Sequence, residues 1–408
     1  MAKTIVLVGT LDSKGEENLY LKERIEARGH RVIVIDAGVL GKPYFTPDVS
    51  REEVAHAAGT TIKDVIELRS GEKATKVMAE GAKKIVNELY NKGQVNGLVA
   101  LGVTIGTSIG LGVMSTVPLL RVPKVMLTSV GLVHLAGSDV KLPNQDVTFM
   151  QSVADLAGLS SLNKVVINNA AAAISGMAEM YEPEKPEKPM VALGLMGPSV
   201  TRYHHYLEPA LEERGYELVP FHVTGVGGRM QEQLVDQGMF VANLELTTNE
   251  LIARVCGTLN DPGPDRLEAA GRRGIPCIVA PGALDFVSTK EELLWQFQGR
   301  KIRKHSELVT LIRTNADEMA KTGEIIAKKL NLYKGPVAVI IPLTGFSALD
   351  SEGQPWYEPE TDQAFITELK RNLDPKVNVL EVDVHINDPQ FSDEVIKLFD
   401  NMMASKTG

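Results

Sequence analysis

The sequence predicts an α/β protein with two Rossmann-like domains, each a mostly parallel sheet with helices on both faces. Three observations support this fold class. A phrase of strand, glycine-bearing turn, helix and second strand occurs twice, beginning near Thr4 and near Met190. Short apolar runs alternate with helical patterns along both halves, as expected for parallel sheets that are covered on both faces. A proline-rich charged segment, 182–189, separates the halves.

The two copies of this phrase have nearly the same length. In the first copy the apolar run ends at Gly9 and the helical stretch ends at Gly29. In the second copy the corresponding residues are Gly197 and Gly215. Two matched βαβ units indicate two α/β domains. In such domains ligands bind at the carboxyl ends of the strands, where these glycine-bearing turns lie.

Composition limits the class of protein. The chain has 408 residues, which suits two domains of roughly 150–200 residues each. Hydrophobic residues make up 44% and charged residues 23%, as in ordinary globular proteins. A net charge of −9 argues against nucleic acid or an anionic membrane as the main partner.

Location is predicted from what the sequence lacks. The two cysteines, Cys256 and Cys277, do not suggest a disulfide framework. The chain starts directly in a strand-like run, without the pattern of a signal peptide. No apolar run approaches the roughly 20 residues of a membrane helix. We therefore expect a cytoplasmic protein.

The segment 182–189 is the predicted domain boundary. Its three prolines are incompatible with a helix interior, and its alternating charges favour an extended, solvated linker. We predict an N-terminal nucleotide-binding-like α/β domain over 1–181, a linker over 182–189 and a C-terminal α/β domain over 190–408.

The elements of both domains follow from short apolar runs and helical periodicity. The predicted strands of the first domain are Ile5–Val8, Val32–Ile35, Gly97–Leu101, Lys124–Ser129 and Lys164–Ile167. Those of the second are Val191–Met196, Leu218–His222, Val241–Leu246, Cys277–Ala280, Val337–Pro342 and Val377–Val384. The predicted helices include Glu72–Tyr90, Asn168–Met180, Arg202–Arg214, Glu250–Gly257, Thr314–Leu330, Thr361–Leu373 and Asp388–Met403.

The turn after the first strand, 9–15, is the first candidate ligand site. It offers backbone N–H groups, two hydroxyls, a carboxylate and an ammonium at a helix N-terminus, which favours phosphate or carboxylate. The alternative is a capped turn with Asp12 or Ser13 as the N-cap. The candidate nucleotide-binding residues are Gly9, Thr10, Asp12, Ser13 and Lys14.

The glycine-rich turn 102–112 is the second candidate. It directly follows the strand Gly97–Leu101, and its glycines would let a ligand approach the backbone. Its spacing is neither that of a Walker loop nor that of a dinucleotide-binding fingerprint. The alternative is close packing of a small-residue helix against the sheet. The candidate nucleotide-binding residues are Gly102, Thr104, Gly106, Thr107 and Ser108.

The third candidate is the turn 224–230 of the second domain, which resembles an anion-binding nest with a charged clamp, Arg229. The alternative is a glycine-rich turn with a solvent-facing arginine. The candidate anion-binding residues of this second cleft are Gly225, Gly227, Gly228, Arg229 and Met230.

An acid–base site is a further hypothesis for the second domain. His222 ends a predicted strand, and Asp285 and Asp350 follow two others. Carboxylates at several strand ends of one sheet are how α/β enzymes assemble acid–base sites, and also how loops become soluble. The candidate catalytic residues are His222, Arg229 and Asp285, with Asp350 in a comparable position.

These phrases also carry a family resemblance. The chain resembles the two-domain family of the tomato tobamovirus-resistance protein, whose amino-terminal region is called an ATP-binding domain and whose bacterial members were long described as uncharacterised. The matching phrases span nearly the whole chain and include 9–15, 102–106, 146–150, 155–159, 169–177, 222–229, 282–286, 313–318 and 342–347. The resemblance implies nucleotide binding in the first domain and supplies no reaction.

Three functions remain open at the level of sequence. The first is an ATP-binding protein, in which Lys14 neutralises phosphate while Asp12 meets a bridging Mg²⁺ or a ribose hydroxyl. The second is an enzyme acting on a small anionic metabolite, such as a sugar acid or a phosphate ester, in which Arg229 holds the anion and His222 or a carboxylate moves a proton. The third is a non-catalytic interaction module. A homo-oligomer is the default expectation for such a protein.

Overall fold

The structure is a computed structural model that describes residues 1–131, 145–182, 186–197, 202–307 and 309–406. The chain forms two compact units, Met1–Glu184 and Lys185–Gly408. Part of the predicted linker, 183–185, and part of the second copy's turn, 198–201, lie outside the described residues.

The amino-terminal unit is built on a five-stranded parallel sheet with the strand order β2-β1-β3-β4-β5. The strands are β1 (Thr4–Gly9), β2 (Arg31–Asp36), β3 (Gly97–Gly102), β4 (Lys124–Thr128) and β5 (Val147–Gln151). The helices are α1 (Gly15–Glu26), α2 (Arg51–Ala57), α3 (Ile62–Glu67), α4 (Gly71–Asn91), α5 (Thr104–Met114) and α6 (Ser161–Met180).

Both faces of this sheet are buried because successive apolar residues of each strand enter different cores. In β1, Val6 and Val8 belong to a core that includes side chains of α2, α4 and α5. Ile5 and Leu7 belong to the opposite core, with side chains of α1 and α6. Strands that are buried on both faces read as continuous apolar runs, and this is why the sequence predicted them well.

One predicted strand of this unit is wrong. Lys164–Ile167 lies inside α6, which begins after the N-cap residue Ser160, whose hydroxyl accepts the N–H of Asn163. A short valine–isoleucine run fits a buried helix as well as a strand, and the following alanines extend the helix. The fifth position of the sheet is occupied instead by β5, a partly exposed edge strand.

The carboxyl-terminal unit contains a six-stranded parallel sheet with the order β14-β13-β9-β8-β6-β7. Its strands are β6 (Met190–Leu195), β7 (Glu217–His222), β8 (Phe240–Thr247), β9 (Cys277–Gly282), β13 (Val337–Pro342) and β14 (Asn378–Val382). The helices are α7 (Arg202–Glu213), α8 (Val226–Asp236), α9 (Asn249–Cys256), α10 (Ala269–Arg273), α11 (Ala316–Leu330), α12 (Pro359–Asn372) and α13 (Pro389–Lys406). The predicted fold class, two parallel α/β domains, is confirmed.

A small antiparallel sheet in this unit was not predicted. It has the order β10-β12-β11, with β10 (Phe286–Thr289), β11 (Ile302–Lys304) and β12 (Thr310–Arg313). A 3₁₀ helix, Glu291–Phe297, lies between β10 and β11. The three strands are only three or four residues long and β11 is exposed, so they leave no clear periodic pattern.

Candidate functional site

A cavity of about 670 Å³ lies at the carboxyl ends of β1, β2 and β3 in the amino-terminal unit. The chain runs from β1 to β2 on one side and then to β3 on the other side of β1. The order in which successive strands are added to the sheet therefore reverses between β1 and β3, and we call this cavity the switch-point cavity. In open α/β sheets this switch point is the preferred place for a ligand.

The first candidate turn forms one wall of the cavity. Thr10, Asp12, Ser13 and Lys14 all line it. The Thr10 carbonyl accepts the N–H groups of Ser13 and Lys14, at 3.3 and 2.8 Å, and this closes the turn before α1. Lys14 is the N-cap residue of α1, without a side-chain cap, so neither Asp12 nor Ser13 has the capping role. The Lys14 ammonium donates to the carbonyl of Leu156 and has no carboxylate partner among the described residues.

Asp12 holds the neighbouring loop. Its Oδ2 accepts the backbone N–H groups of Val39, Leu40 and Gly41, at 2.8, 2.7 and 3.3 Å. A Cβ on Gly38 would lie 2.8 Å from the Asp12 Cγ, so the loop needs glycine at this approach. The Asp12 carboxylate thus accepts hydrogen bonds from the protein itself. The sequence had suggested a helix cap, a bridging Mg²⁺ or a ribose hydroxyl as its partner instead.

The second candidate turn divides between the cavity and the core. Thr104 and Gly106 line the cavity at the start of α5. Thr107 is fully buried, and its hydroxyl lies 2.7 Å from the hydroxyl of Thr128. A Cβ on Gly102 would lie 2.6 Å from the Cα of Gly106, so Gly102 permits close packing of α5 on β3. Gly102, Thr107, Ser108 and, from the first turn, Gly9 are outside the cavity lining.

A third wall, which sequence reasoning missed, comes from the connection between α3 and α4. Arg69, Ser70 and Thr75 contribute its polar side chains. Ser70 is the N-cap of α4, and its hydroxyl accepts the N–H of Lys73 at 3.3 Å. A serine directly before a long amphipathic helix was a readable signal for this helix N-terminus.

Three helix N-termini therefore meet at one cavity, those of α1, α4 and α5. The N-cap residue of α5 is Val103, which has no side-chain acceptor for the first turn of the helix. The N–H groups at such ends carry partial positive charge and have no partner within the helix. The cavity combines these positive ends with hydroxyl groups and an apolar wall that includes Val39, Ile66 and Ile105.

A buried carboxylate, that of Asp36, holds the first candidate turn and the loop after β2. Asp36 ends β2, is 1% exposed, and accepts the N–H groups of Leu11 and Gly38 at 3.0 and 2.8 Å. Burial raises the pKa of Asp36, and these two hydrogen bonds oppose the rise. Its other oxygen, Oδ2, is buried without a hydrogen-bond partner in the described structure.

The third candidate turn already contains an internal anion. The Glu250 carboxylate accepts the N–H groups of Gly225 and Gly228 at the start of α8, the latter at 3.2 Å. Arg229 donates to the carbonyl of Asp261 at 3.1 Å. An external anion would have to displace Glu250, and anion binding by Gly225, Gly227, Gly228, Arg229 and Met230 stays a prediction.

Glu250 is part of a buried ionic network around Arg266. The guanidinium lies 3.1 Å from Glu232, 2.5 Å from Glu245 and 2.6 Å from Glu250. All four side chains are almost fully inaccessible, and burial raises the pKa of Glu232. Charges buried in this way are stable only when they are paired and hydrogen-bonded.

The two predicted acidic residues, Asp285 and Asp350, belong to a second buried group, the Arg313 cluster, which also contains Arg313 and Asp362. Arg313 Nη2 lies 2.8 Å from Asp362 and 3.6 Å from Asp350. Ser347 Oγ donates to Asp285 at 2.6 Å. Burial, and then the charge of Asp350, raise the pKa of Asp285 to about 7 and that of Asp362 to about 8.

The structure does not bring the predicted catalytic residues into one contact group. Asp285 and Asp350 lie in the Arg313 cluster. His222 ends the edge strand β7, and Arg229 lies on α8. No hydrogen bond or ion pair between described residues joins His222 or Arg229 to Asp285.

The described residues form neither a cluster of metal ligands nor a membrane-spanning helix. Within the described ranges no group of three or more His, Cys, Asp or Glu residues is arranged to hold a metal ion. None of the described helices combines the length and apolar composition needed to cross a membrane.

The geometry defines a two-domain α/β protein with a candidate ligand cavity at the switch point of its first sheet. Residues 3–183 match the N-terminal domain, and residues 188–403 the C-terminal domain, of the uncharacterised protein family UPF0261. The chain belongs to this family.

Relatives cover the chain from end to end. A UPF0261 protein of Clostridium tetani is 38% identical and covers 99% of this chain and 100% of its own length. One from Brucella melitensis is 35% identical and covers 98% and 96%. The ToMV resistance protein Tm-1(GCR237) of Solanum lycopersicum is 28% identical over 97% of this chain, which corresponds to 55% of that protein. The expected family is confirmed.

Solved structures are more distant. A UDP-N-acetylglucosamine 2-epimerase matches with a TM-score of 0.27 at 10% identity, over 69% of this chain and 79% of that one. A similarity at this level supports no argument about function.

Proposed function

We propose that the amino-terminal unit binds a nucleotide, with ATP as the candidate, in the switch-point cavity. The observation that carries this proposal is one open cavity in which three helix N-termini meet an ammonium, Lys14, that has no carboxylate partner among the described residues. Helix N-termini and cations together favour phosphate groups. Nucleotide binding is also what the family resemblance implies.

The cavity has the dimensions and surfaces that such a ligand needs. Its volume of about 670 Å³ falls within the usual range of small-molecule sites. Apolar side chains, including Val39, Ile66 and Ile105, offer a surface for a base. Hydroxyl groups of Thr10, Ser13 and Thr104 offer hydrogen bonds to phosphate or ribose oxygens.

Calorimetric titration with ATP, ADP and AMP, each with and without Mg²⁺, tests this proposal. We expect measurable binding of ATP. Lys14→Ala should weaken it about 10- to 150-fold, since a charge-assisted hydrogen bond contributes about 1.5–3 kcal/mol. Lys22→Ala is the matched control, because Lys22 lies on the same helix in a surface pair with Glu26. The absence of heat at millimolar ligand would contradict the proposal.

A second candidate function is an enzyme that acts on a small anionic metabolite in the carboxyl-terminal unit. One observation favours it: Asp285 follows β9, its pKa is raised to about 7, and perturbed carboxylates cluster at functional sites. A panel of sugar acids and phosphate esters tests it, with Asp285→Asn expected to abolish any turnover. Turnover that survives in this variant would exclude Asp285 as the acid or base.

A further inference from the structure

Arg69 has an unusual backbone conformation for its residue type. It lies between α3, which ends at Glu67, and the α4 N-cap Ser70. Its φ of 46° is in the left-handed region, where an L-residue other than glycine is strained. Glycine would be the unstrained choice at this position. Strained residues cluster at active sites and ligand clamps, and Arg69 lies in a cavity wall.

Arg69 lines the switch-point cavity, and no described residue forms an ion pair with it. No described hydrogen bond or ion pair involves its guanidinium. Of the acidic residues nearest along the chain, Asp64 accepts from Thr61 at 2.7 Å and Glu72 pairs with Lys76 at 2.6 Å. Glu67, two residues before Arg69, forms no described ion pair with it. In contrast, Arg51 of the same unit pairs with Glu52.

The charge of the cavity lining is therefore unbalanced. Lys14 contributes one cation from the α1 wall, and Arg69 contributes a second from the α3–α4 wall. Asp12 is the only carboxylate of the described lining, and three loop N–H groups already donate to its Oδ2. The side chains of the described lining carry two positive charges and one negative charge, and the N-termini of α1, α4 and α5 add partial positive charge, so an anionic ligand would balance the lining.

We propose that Arg69 is an anion-binding residue that holds a phosphate group of the ligand from the wall formed by the α3–α4 connection. A guanidinium presents a planar fork of N–H donors that matches two oxygens of a phosphate. Lys14 meets the ligand as a point charge from a different wall. With two cations on separate elements, the cavity is selective for a nucleoside triphosphate or diphosphate over a monophosphate. This inference rests on the proposed nucleotide binding.

The test compares ATP, ADP and AMP binding to the wild type, Arg69→Ala, Arg69→Lys and Arg69→Gly. We expect Arg69→Ala to weaken ATP about tenfold or more and AMP much less, so that the ATP-to-AMP affinity ratio falls. Arg69→Lys should retain part of the affinity, because it keeps the charge and loses the fork. Arg31→Ala is the control, since Arg31 is exposed and begins β2, at the end of the strand away from the cavity.

Arg69→Gly separates binding from folding. It removes the guanidinium and also relieves the strained φ, so its melting temperature should match or exceed that of the wild type while ATP binding falls as in Arg69→Ala. If the wild type binds ATP and all three variants bind it equally, the role of Arg69 is refuted and the proposed function stands. If the wild type binds no nucleotide, both are refuted.

Discussion

The switch-point cavity and the Arg313 cluster both follow the carboxyl ends of parallel strands, yet they differ in whether their charged side chains are accessible or buried against one another. In the cavity, Lys14 and Arg69 line open space without a carboxylate partner among the described residues. In the cluster, Asp285, Asp350 and Arg313 are at most 2% exposed, and the charges face one another. A strand-end position therefore does not by itself define a ligand site. Accessible charge without an internal partner is the feature that distinguishes the proposed site from the Arg313 cluster.

The same contrast separates the three glycine-bearing turns that the sequence predicted as ligand sites. In the carboxyl-terminal unit, Glu250 supplies a carboxylate to the N–H groups of Gly225 and Gly228. In the amino-terminal unit, the N-cap residues Lys14 and Val103 supply no side-chain acceptor to α1 and α5. The first helix end is satisfied within the protein, and the other two remain available to a ligand.

The largest expected effect concerns the Arg313 cluster. Arg313→Met should lower the free energy of unfolding of the carboxyl-terminal unit by about 3–5 kcal/mol, because it removes the cation beside the buried Asp350 carboxylate and the donor that serves the Asp362 carboxyl group. Urea denaturation, followed by a probe in that unit, measures the change. Arg272→Ala is the control, since Arg272 forms exposed pairs and should cost less than about 1 kcal/mol. Equal losses in the two variants would refute the pairing argument.

The next effect is a pH dependence of stability that the cluster should confer. The pKa of Asp362 is raised from 3.8 to about 8 in the folded protein, so between these values the folded state holds more protons than the unfolded state. The free energy of unfolding must therefore fall as pH rises from about 4 to 8, by up to about 1.4 kcal/mol per pH unit for one proton.

Asp362→Asn should flatten this slope. Unfolding curves at pH 5, 6, 7 and 8 measure it. Glu324→Gln is the control, because the pKa of Glu324 is lowered to about 2 and its titration lies below this window. A slope that is unchanged in Asp362→Asn would show that the excess proton is held elsewhere.

A smaller effect concerns the loop that Asp12 holds. Asp12→Ala removes the acceptor of the Val39, Leu40 and Gly41 N–H groups and should destabilise the loop by about 1–3 kcal/mol. Hydrogen exchange at these three amides should become faster, while exchange in the buried strand β3 stays the same. Unchanged exchange at residues 39–41 would indicate that the loop does not depend on Asp12.

The smallest expected effect is the gain in stability on relieving the strained residue. Arg69→Gly should recover up to about 1 kcal/mol, since the left-handed conformation costs an L-residue roughly 1–2 kcal/mol and glycine adds entropy to the unfolded chain. Thermal unfolding of the amino-terminal unit measures it. A clear loss of stability would mean that the arginine side chain supports the fold.

The sequence predicted the fold best where strands are buried on both faces, as in β1, β3 and β9, because these give uninterrupted apolar runs. It failed at Lys164–Ile167, where a short apolar run belongs to α6, and at β5, a partly exposed edge strand. Tertiary pairing decides such segments, and a single sequence does not contain that information.

Only part of the candidate site could be predicted from the sequence, for a related reason. Thr10, Lys14 and Thr104 follow predicted strands, so their convergence could be predicted from the rule for parallel sheets. Arg69 comes from a connection between two helices, far along the chain from any strand-end turn. Only the packing of α3 and α4 brings it to the cavity. Likewise, Glu250 as a partner of Gly225 and Gly228 is a long-range contact that local spacing does not reveal.

The most direct test of the central claim is a crystal structure of the protein with bound ATP. We expect phosphate density in the switch-point cavity, next to Lys14 and Arg69 and in line with the N-termini of α1, α4 and α5. Phosphate density found only at the strand ends of the carboxyl-terminal unit, with the cavity empty, would contradict it.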